Sequence, residues 1–185
     1  MGLTSSGKSR QAKNIATYFR LSYISGSEML LDKLKYSDNS KEHFWLEESG
    51  AILNEQRYKS NYDKEVDERL MEMATKMDNL VFDSWTIPWL YYKKDAVRIY
   101  LNPTLEFRAT LSHKSKTDKK YTIVQLMDLI NEKDKSSRKR FIQMYGFDIY
   151  DKSNFDLVFD NSFYKVNDTT AYLIDFIKKH NQLLQ

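Results

Sequence analysis

Apolar residues recur at helical spacing in four stretches of the chain. Ala12, Ile15, Ala16 and Phe19 predict a helix from Lys8 to Phe19, and Val66, Leu70, Met73, Ala74 and Met77 predict another across DKEVDERLMEMATKM. A third carries Val124, Met127 and Ile130 behind a cap at Thr122, and its charged continuation NEKDKSSRKR leads to a turn at 145–148. A fourth turns Leu173, Ile174 and Ile177 inward, with Asp168 or Thr169 as its cap. Short β-branched or aromatic runs alternate with these helices: LSYIS at 21–25, LVFDSW at 80–85, VRIYLNP at 97–103 and FDLVFD at 155–160. HFWLEESGAIL reads as a helix ending near Gly50, LEFRATL as a short helix, and Ser112 to Lys120 as a polar, basic loop. Helices alternating with short strands predict an α/β fold, a parallel sheet covered by helices on both faces.

Composition narrows the class. A chain of 185 residues, 41% hydrophobic and 30% charged, suits one soluble domain over 1–185. No apolar run approaches the roughly 20 residues that cross a bilayer, and the residues after Met1 are small and polar, unlike a secretory leader. With no cysteine, and with His43, His113 and His180 lacking metal-ligand spacing, disulfides and thiolate or histidine metal sites are not expected. A net charge of +3 does not demand nucleic acid and suits anionic small molecules. The expectation is a cytoplasmic monomer with neither membrane nor nucleic-acid partners.

The chain opens MGLTSSGKS, and Gly2 to Ser9 fit G-x-x-x-x-G-K-[ST] at every fixed position. Gly2 and Gly7, with the small residues Thr4, Ser5 and Ser6 between them, let successive backbone N–H groups converge on a phosphate, backed by a helix N-terminus. In that reading Lys8 reaches the β- and γ-phosphates, Ser9 ligates Mg²⁺, and the triphosphate lies along Gly2 to Arg10. The competing reading is a chance match, since only Met1 precedes the loop where a strand normally does.

Asp83 ends the LVFDSW strand, where open parallel sheets bind ligands, and can hold the Mg²⁺ hydration shell opposite Ser9; a turn-capping aspartate is the plainer alternative. The cluster Lys133, Lys135, Arg138, Lys139 and Arg140 offers cations for a transferring phosphoryl group, although such runs are more often solvated helix faces. Tyr58, Tyr62, Trp85, Tyr91 and Tyr92 can stack on a base or simply pack.

These segments, in this order, resemble the nucleoside monophosphate kinases, most closely the short archaeal-type cytidylate kinases. GLTSSGKS looks like their phosphate loop, YISGSEM like I-S-A-G-D-I, DKEVDERLMEMA like I-D-x-x-I-D-E-R, and NLVFDSWTIPW like V-L-E-S-R-L-A-G-W. VRIYLNPTLEFRA is similar to the strand and helix that lead into the lid. The most specific match is KDKSSRKRFIQMYGFDIYDKSNFDLVFDNS, which resembles R-E-x-S-x-x-K-R-Y-x-x-I-Y-G-I-D-x-x-D-x-S-x-Y-D-L-V-I-N-T. The resemblance spans Gly2 to about Ser162. It implies a P-loop kinase fold with a monophosphate-binding insert at 27–77, a small lid at 114–140, and Mg²⁺-dependent transfer of the ATP γ-phosphate to a pyrimidine monophosphate. By the same resemblance Lys8 and Ser9 contact phosphate and Mg²⁺, Asp83 is the strand-end carboxylate that serves the metal, Arg140 is a lid arginine, and Ser25 and Asp156 match family positions; Lys133 and Arg138 of the basic cluster complete the expected catalytic set with Lys8 and Arg140.

Two acceptor arginines of the family pattern are Leu31 and Trp85 here, and Lys133 replaces the first lid arginine. Neither Leu nor Trp binds phosphate ionically. Ser25, Arg57, Arg69 and Trp85 are therefore the residues expected around the acceptor, with Lys59 a further cation. A P-loop kinase with another acceptor, and a nucleotide-binding regulatory protein without catalysis, are the rival readings. In the related fold a strand before the loop lies mid-sheet. Its absence predicts a natural start upstream, a poorly stable form, or a borrowed strand.

Overall fold

A computed structural model describes residues 1–34, 57, 60–93, 96–114 and 121–183. Seven helices and four strands alternate along them: α1 (Lys8–Phe19), β1 (Ser22–Ser25), α2 (Gly26–Lys33), α3 (Tyr62–Lys76), β2 (Leu80–Asp83), α4 (Ile87–Leu90), β3 (Ile99–Leu101), α5 (Leu105–Lys114), α6 (Ile123–Tyr145), β4 (Leu157–Phe159) and α7 (Val166–Leu183).

The strands pair in parallel as expected, in two pairs. Ser22 to Ser25 run in register with Leu80 to Asp83, and Ile99 to Leu101 with Leu157 to Phe159. The chain's first residues lie along β3: Gly2 bridges Leu101, the Leu101 N–H donates to the Met1 carbonyl at 2.9 Å, and the Met1 amino group donates to the Ile99 carbonyl at 2.6 Å. The phosphate loop therefore starts from a backbone already fixed to the sheet.

Successive strand residues point to opposite faces, and both faces are covered. Ile24 and Phe82 pack toward Leu30, Val66, Leu70 and Ile87 of α2, α3 and α4. Val81 instead joins the cluster of Ile15 on α1, Leu101, Phe159 and Leu173 on α7. A third cluster, Ala109, Leu126 and Ile130, binds α5 to α6.

Several details depart from the hydrophobic pattern. Gly26 does not simply break the chain after β1: α2 begins there, capped by the Ser25 hydroxyl, which accepts the Glu28 N–H at 3.2 Å. Thr122 caps α6 as expected, in a reciprocal box with Gln125. Ile130 is fully buried and Met127 packs beside it as expected, but Val124 is exposed and Leu126 takes its place in the core. Met77, at the end of α3, is half exposed. The charged run 131–140 continues α6 without a break, and α5 extends through Ser112 to Lys114. Asp168 and Thr169 lie inside α7. The helix expected across HFWLEESGAIL and the core of the basic loop, 115–120, lie outside the described residues.

Candidate active site

The loop between β3's partner Gly2 and α1 has the backbone that its sequence requires. Gly7 caps α1 with φ 84° and Ser5 takes φ 59°, both left-handed. A Cβ on Gly2 would strike the Ser6 hydroxyl and come within 2.9 Å of the Leu101 carbonyl, so the close approach to the sheet needs glycine. The first turn of α1 thus opens on the loop, presenting its unpaired N–H groups there.

Four side chains from distant parts of the chain hold the loop. The Thr4 N–H donates to Asp134 Oδ1 at 3.0 Å, and Arg108 Nη1 donates to the Thr4 carbonyl at 3.1 Å. The Ser112 hydroxyl donates to Ser5 Oγ at 2.8 Å, and Asn161 Nδ2 donates to the Ser6 carbonyl at 3.3 Å. None of these four was singled out in the sequence. Arg108 and Ser112 stand one turn apart on α5, a spacing that was visible, but nothing in the sequence says that the loop is what they face.

Lys8 points its ammonium over Trp85, 5.7 Å from the ring centre. Lys133, from the middle of α6, lies close by: burial and then the charges of Lys8 and Arg57 hold its ammonium well below the usual lysine range, with Asp134 pulling the other way. Lys8, Lys133 and Arg57 therefore converge, and such a cluster favours an anion between them.

Arg140, two turns after Lys133 and on the same side of α6, is buried. Its Nη2 donates to the Arg57 carbonyl at 2.7 Å and pairs with Asp63 Oδ2, while Arg57 Nη2 donates to Asp63 Oδ1 at 2.7 Å. One turn along α3, Asp67 accepts from the Thr86 hydroxyl at 2.5 Å and the Tyr145 hydroxyl at 2.7 Å, and burial pushes its carboxyl up to about 6. Asp63 and Asp67 share the buried stripe of Val66 and Leu70. A carboxylate on an apolar face must be paired, and that was the available sign of a polar site there.

Asp83 is buried at the end of β2 beside Ser25, and accepts the Tyr23 hydroxyl at 3.2 Å. Its charge, opposed by that of Lys8, acts on the Met1 amino group, which burial lowers to about 6. Ser25 itself is engaged as the cap of α2, and Leu31 is a core residue, 1% exposed.

Three expected residues stand apart from this cluster. Arg138 lies on the exposed side of α6, its Nε and Nη2 bound to the Asp148 carboxylate at 2.6 to 2.9 Å. Five residues from Lys133 is well off that face, about 140° around a helix of 3.6 residues per turn. Arg69 pairs with Glu72 at 2.5 Å on the surface of α3, and Arg10 is exposed on α1. Lys59 lies outside the described residues.

A glycine-bounded loop opening a helix, a lysine at its end and helices enclosing parallel strands define a P-loop kinase. The solved structure of shikimate kinase from Bacteroides thetaiotaomicron has the same fold, with a TM-score of 0.60 over 96% of both chains at 12% identity. Residues 2–163 match the cytidylate kinase-like family, and the chain belongs to that family. It is 27% identical over 183 residues to the cytidylate kinase of Sulfolobus acidocaldarius, covering 97% of this chain and 93% of that one. It is 30% identical to the cytidylate kinase of Pyrobaculum arsenaticum, over 95% and 89% of the two chains. The protein is an ATP-dependent nucleoside monophosphate kinase.

Proposed function

We propose that the enzyme transfers the ATP γ-phosphoryl group to CMP or dCMP, with UMP a further candidate acceptor, as a cytoplasmic monomer. The observation that supports this most is the grouping of cations after the phosphate loop: the charges of Lys8 and Arg57 act on Lys133, beside the Arg57–Asp63–Arg140 cluster. The loop from Gly2 to Ser9 would take the triphosphate on its N–H groups, and Lys8 with Lys133 would neutralise charge developing on the moving phosphoryl. Arg57 and Arg140, already oriented by Asp63, are the arginines left to meet the acceptor phosphate. Trp85 would form the wall between acceptor and loop. The transfer is direct, from the γ-phosphorus to an acceptor phosphate oxygen, with ADP as the leaving group.

Mg²⁺ in such sites is held by one or two protein groups together with the substrate phosphates. The hydroxyl of Ser9 and the buried carboxylate of Asp83 fit that donor set. When bound, the ion would supply charge neutralisation at the phosphates; the chain's own part is to orient the Asp83 carboxylate through the Tyr23 hydroxyl.

A screen of ATP against each nucleoside monophosphate and a few non-nucleotide acceptors tests the reading. CMP or dCMP turnover that Lys8→Ala removes supports it. A different product would mean another acceptor, which the Leu31 and Trp85 positions leave room for, and ATP binding without turnover would mean a regulatory protein.

A further inference from the structure

Asp134 follows Lys133 on α6 and is 1% exposed. Its two oxygens do different things: Oδ1 accepts the Thr4 N–H at 3.0 Å, and Oδ2 accepts Arg108 Nη1 at 2.5 Å. That same guanidinium nitrogen donates to the Thr4 carbonyl at 3.1 Å. Both backbone polar groups of Thr4 are therefore bound to one buried ion pair, and the residue after it is the left-handed Ser5, tied to Ser112 on α5.

A buried ion pair is a poor device for stability, because desolvating two charges offsets their attraction, and an apolar pair of similar volume is often as stable. What an apolar pair cannot do is grip both ends of a peptide. The Asp134–Arg108 pair fixes the plane of the loop at Thr4, upstream of the N–H groups of Ser6 to Ser9. Because Asp134 and Lys133 are neighbours on one helix, the same contact sets how far the Lys133 ammonium reaches toward Lys8.

We propose that Asp134 is a positioning residue for phosphoryl transfer: with Arg108 it presets the phosphate loop for the triphosphate and places Lys133 over it. The proposal rests on the kinase reading of the site, but its first readout does not. In the double variant Arg108→Met with Asp134→Leu, both buried charges go together and no uncompensated charge is left, so the protein is expected to fold, with its melting temperature lowered only by the loss of the Thr4 hydrogen bonds. Thr4 then loses both its partners. Affinity for inorganic tripolyphosphate, by calorimetry, should fall about tenfold, the effect of losing one or two net hydrogen bonds that order a binding loop. The KM for ATP should rise in step, while the KM for the acceptor moves less than about twofold, since uniform damage would move both.

A folded double variant that binds tripolyphosphate like the wild type overturns the proposal. If the double variant does not fold, Asp134→Asn reads the same quantity: it keeps the shape and an acceptor for Thr4 but loses the charge that orients Arg108. Weakened tripolyphosphate binding in that variant supports the positioning role, and unchanged binding overturns it. Wild-type protein that binds tripolyphosphate but phosphorylates no monophosphate would sink the kinase reading and leave this one standing.

Discussion

The ammonium of Lys8 lies 5.7 Å from the centre of the Trp85 ring, so an aromatic face backs the lysine proposed to meet the transferred phosphate. Trp85 is steadied in turn by Phe141 of α6, ring centres 5.8 Å apart. A cation over an indole face gains about 0.5 to 2 kcal/mol, more as the site dries. Trp85→Leu, which keeps bulk but removes the π face, is therefore expected to lower kcat by about threefold to thirtyfold. Trp85→Phe should retain most of it. Steady-state rates of the three proteins check this, and equal rates for Leu and Phe would remove the ring from the account.

Asp63 is shared between two arginines from different elements, and losing one leaves its carboxylate held by the other. Arg140→Met is expected to cost about 3 kcal/mol of stability, the low end for breaking a buried pair, because Arg57 still neutralises Asp63. Arg140→Met combined with Asp63→Leu should leave Arg57 as the uncompensated charge and recover little. Urea denaturation of the single and double variants measures both.

Asp67 makes stability depend on pH in a direction opposite to an ordinary salt-bridged aspartate. Its folded carboxyl titrates at about 6, against 3.8 for the free side chain. Between those values the folded chain holds a proton that the unfolded chain has released. Its contribution is fully present below about pH 4, falls as pH rises to 6, and is lost above that. Two units correspond to roughly 3 kcal/mol. Asp67→Asn has no such proton, so wild type should lose ground to the variant as pH rises from 4.5 to 7. Parallel urea curves with the same pH slope would refute it.

Arg138 and Arg140 are two residues apart and should behave very differently. Arg138 spends its guanidinium on Asp148 at the surface, and exposed pairs contribute little, so Arg138→Ala should leave kcat within about twofold of wild type. A loss of a hundredfold or so in turnover, the scale of removing a transition-state donor, would mean that Arg138 swings off Asp148 to reach the substrate.

Local order in the sequence carried most of the fold. Helix α1, both loop glycines, the Thr122 cap and all four strands follow from residue spacing, because each depends on neighbours within a turn or a strand. The site was legible in its loop and lysine for the same reason. The clamps were not: Thr4 meets Asp134 across 130 residues and Arg108 across 104, and no local pattern records that pairing. The basic run 133–140 shows the limit from the other side. Composition marks it as a cation source, yet only helical phase separates Lys133 and Arg140 from Arg138, and that phase was hidden while the run read as a connection to a turn.

Helix α6 runs unbroken for 23 residues, about 35 Å at 1.5 Å per residue. Its Thr122 end carries the capping box, its middle binds the loop through Asp134, and its last residue, Tyr145, donates to Asp67. A rod of this kind would tilt as a lever about the Thr4 contact. Any such tilt would move the Thr122 end and the Tyr145 end in opposite directions, so the loop contact at the middle and the Asp67 contact at one end are geared together by a single stiff part.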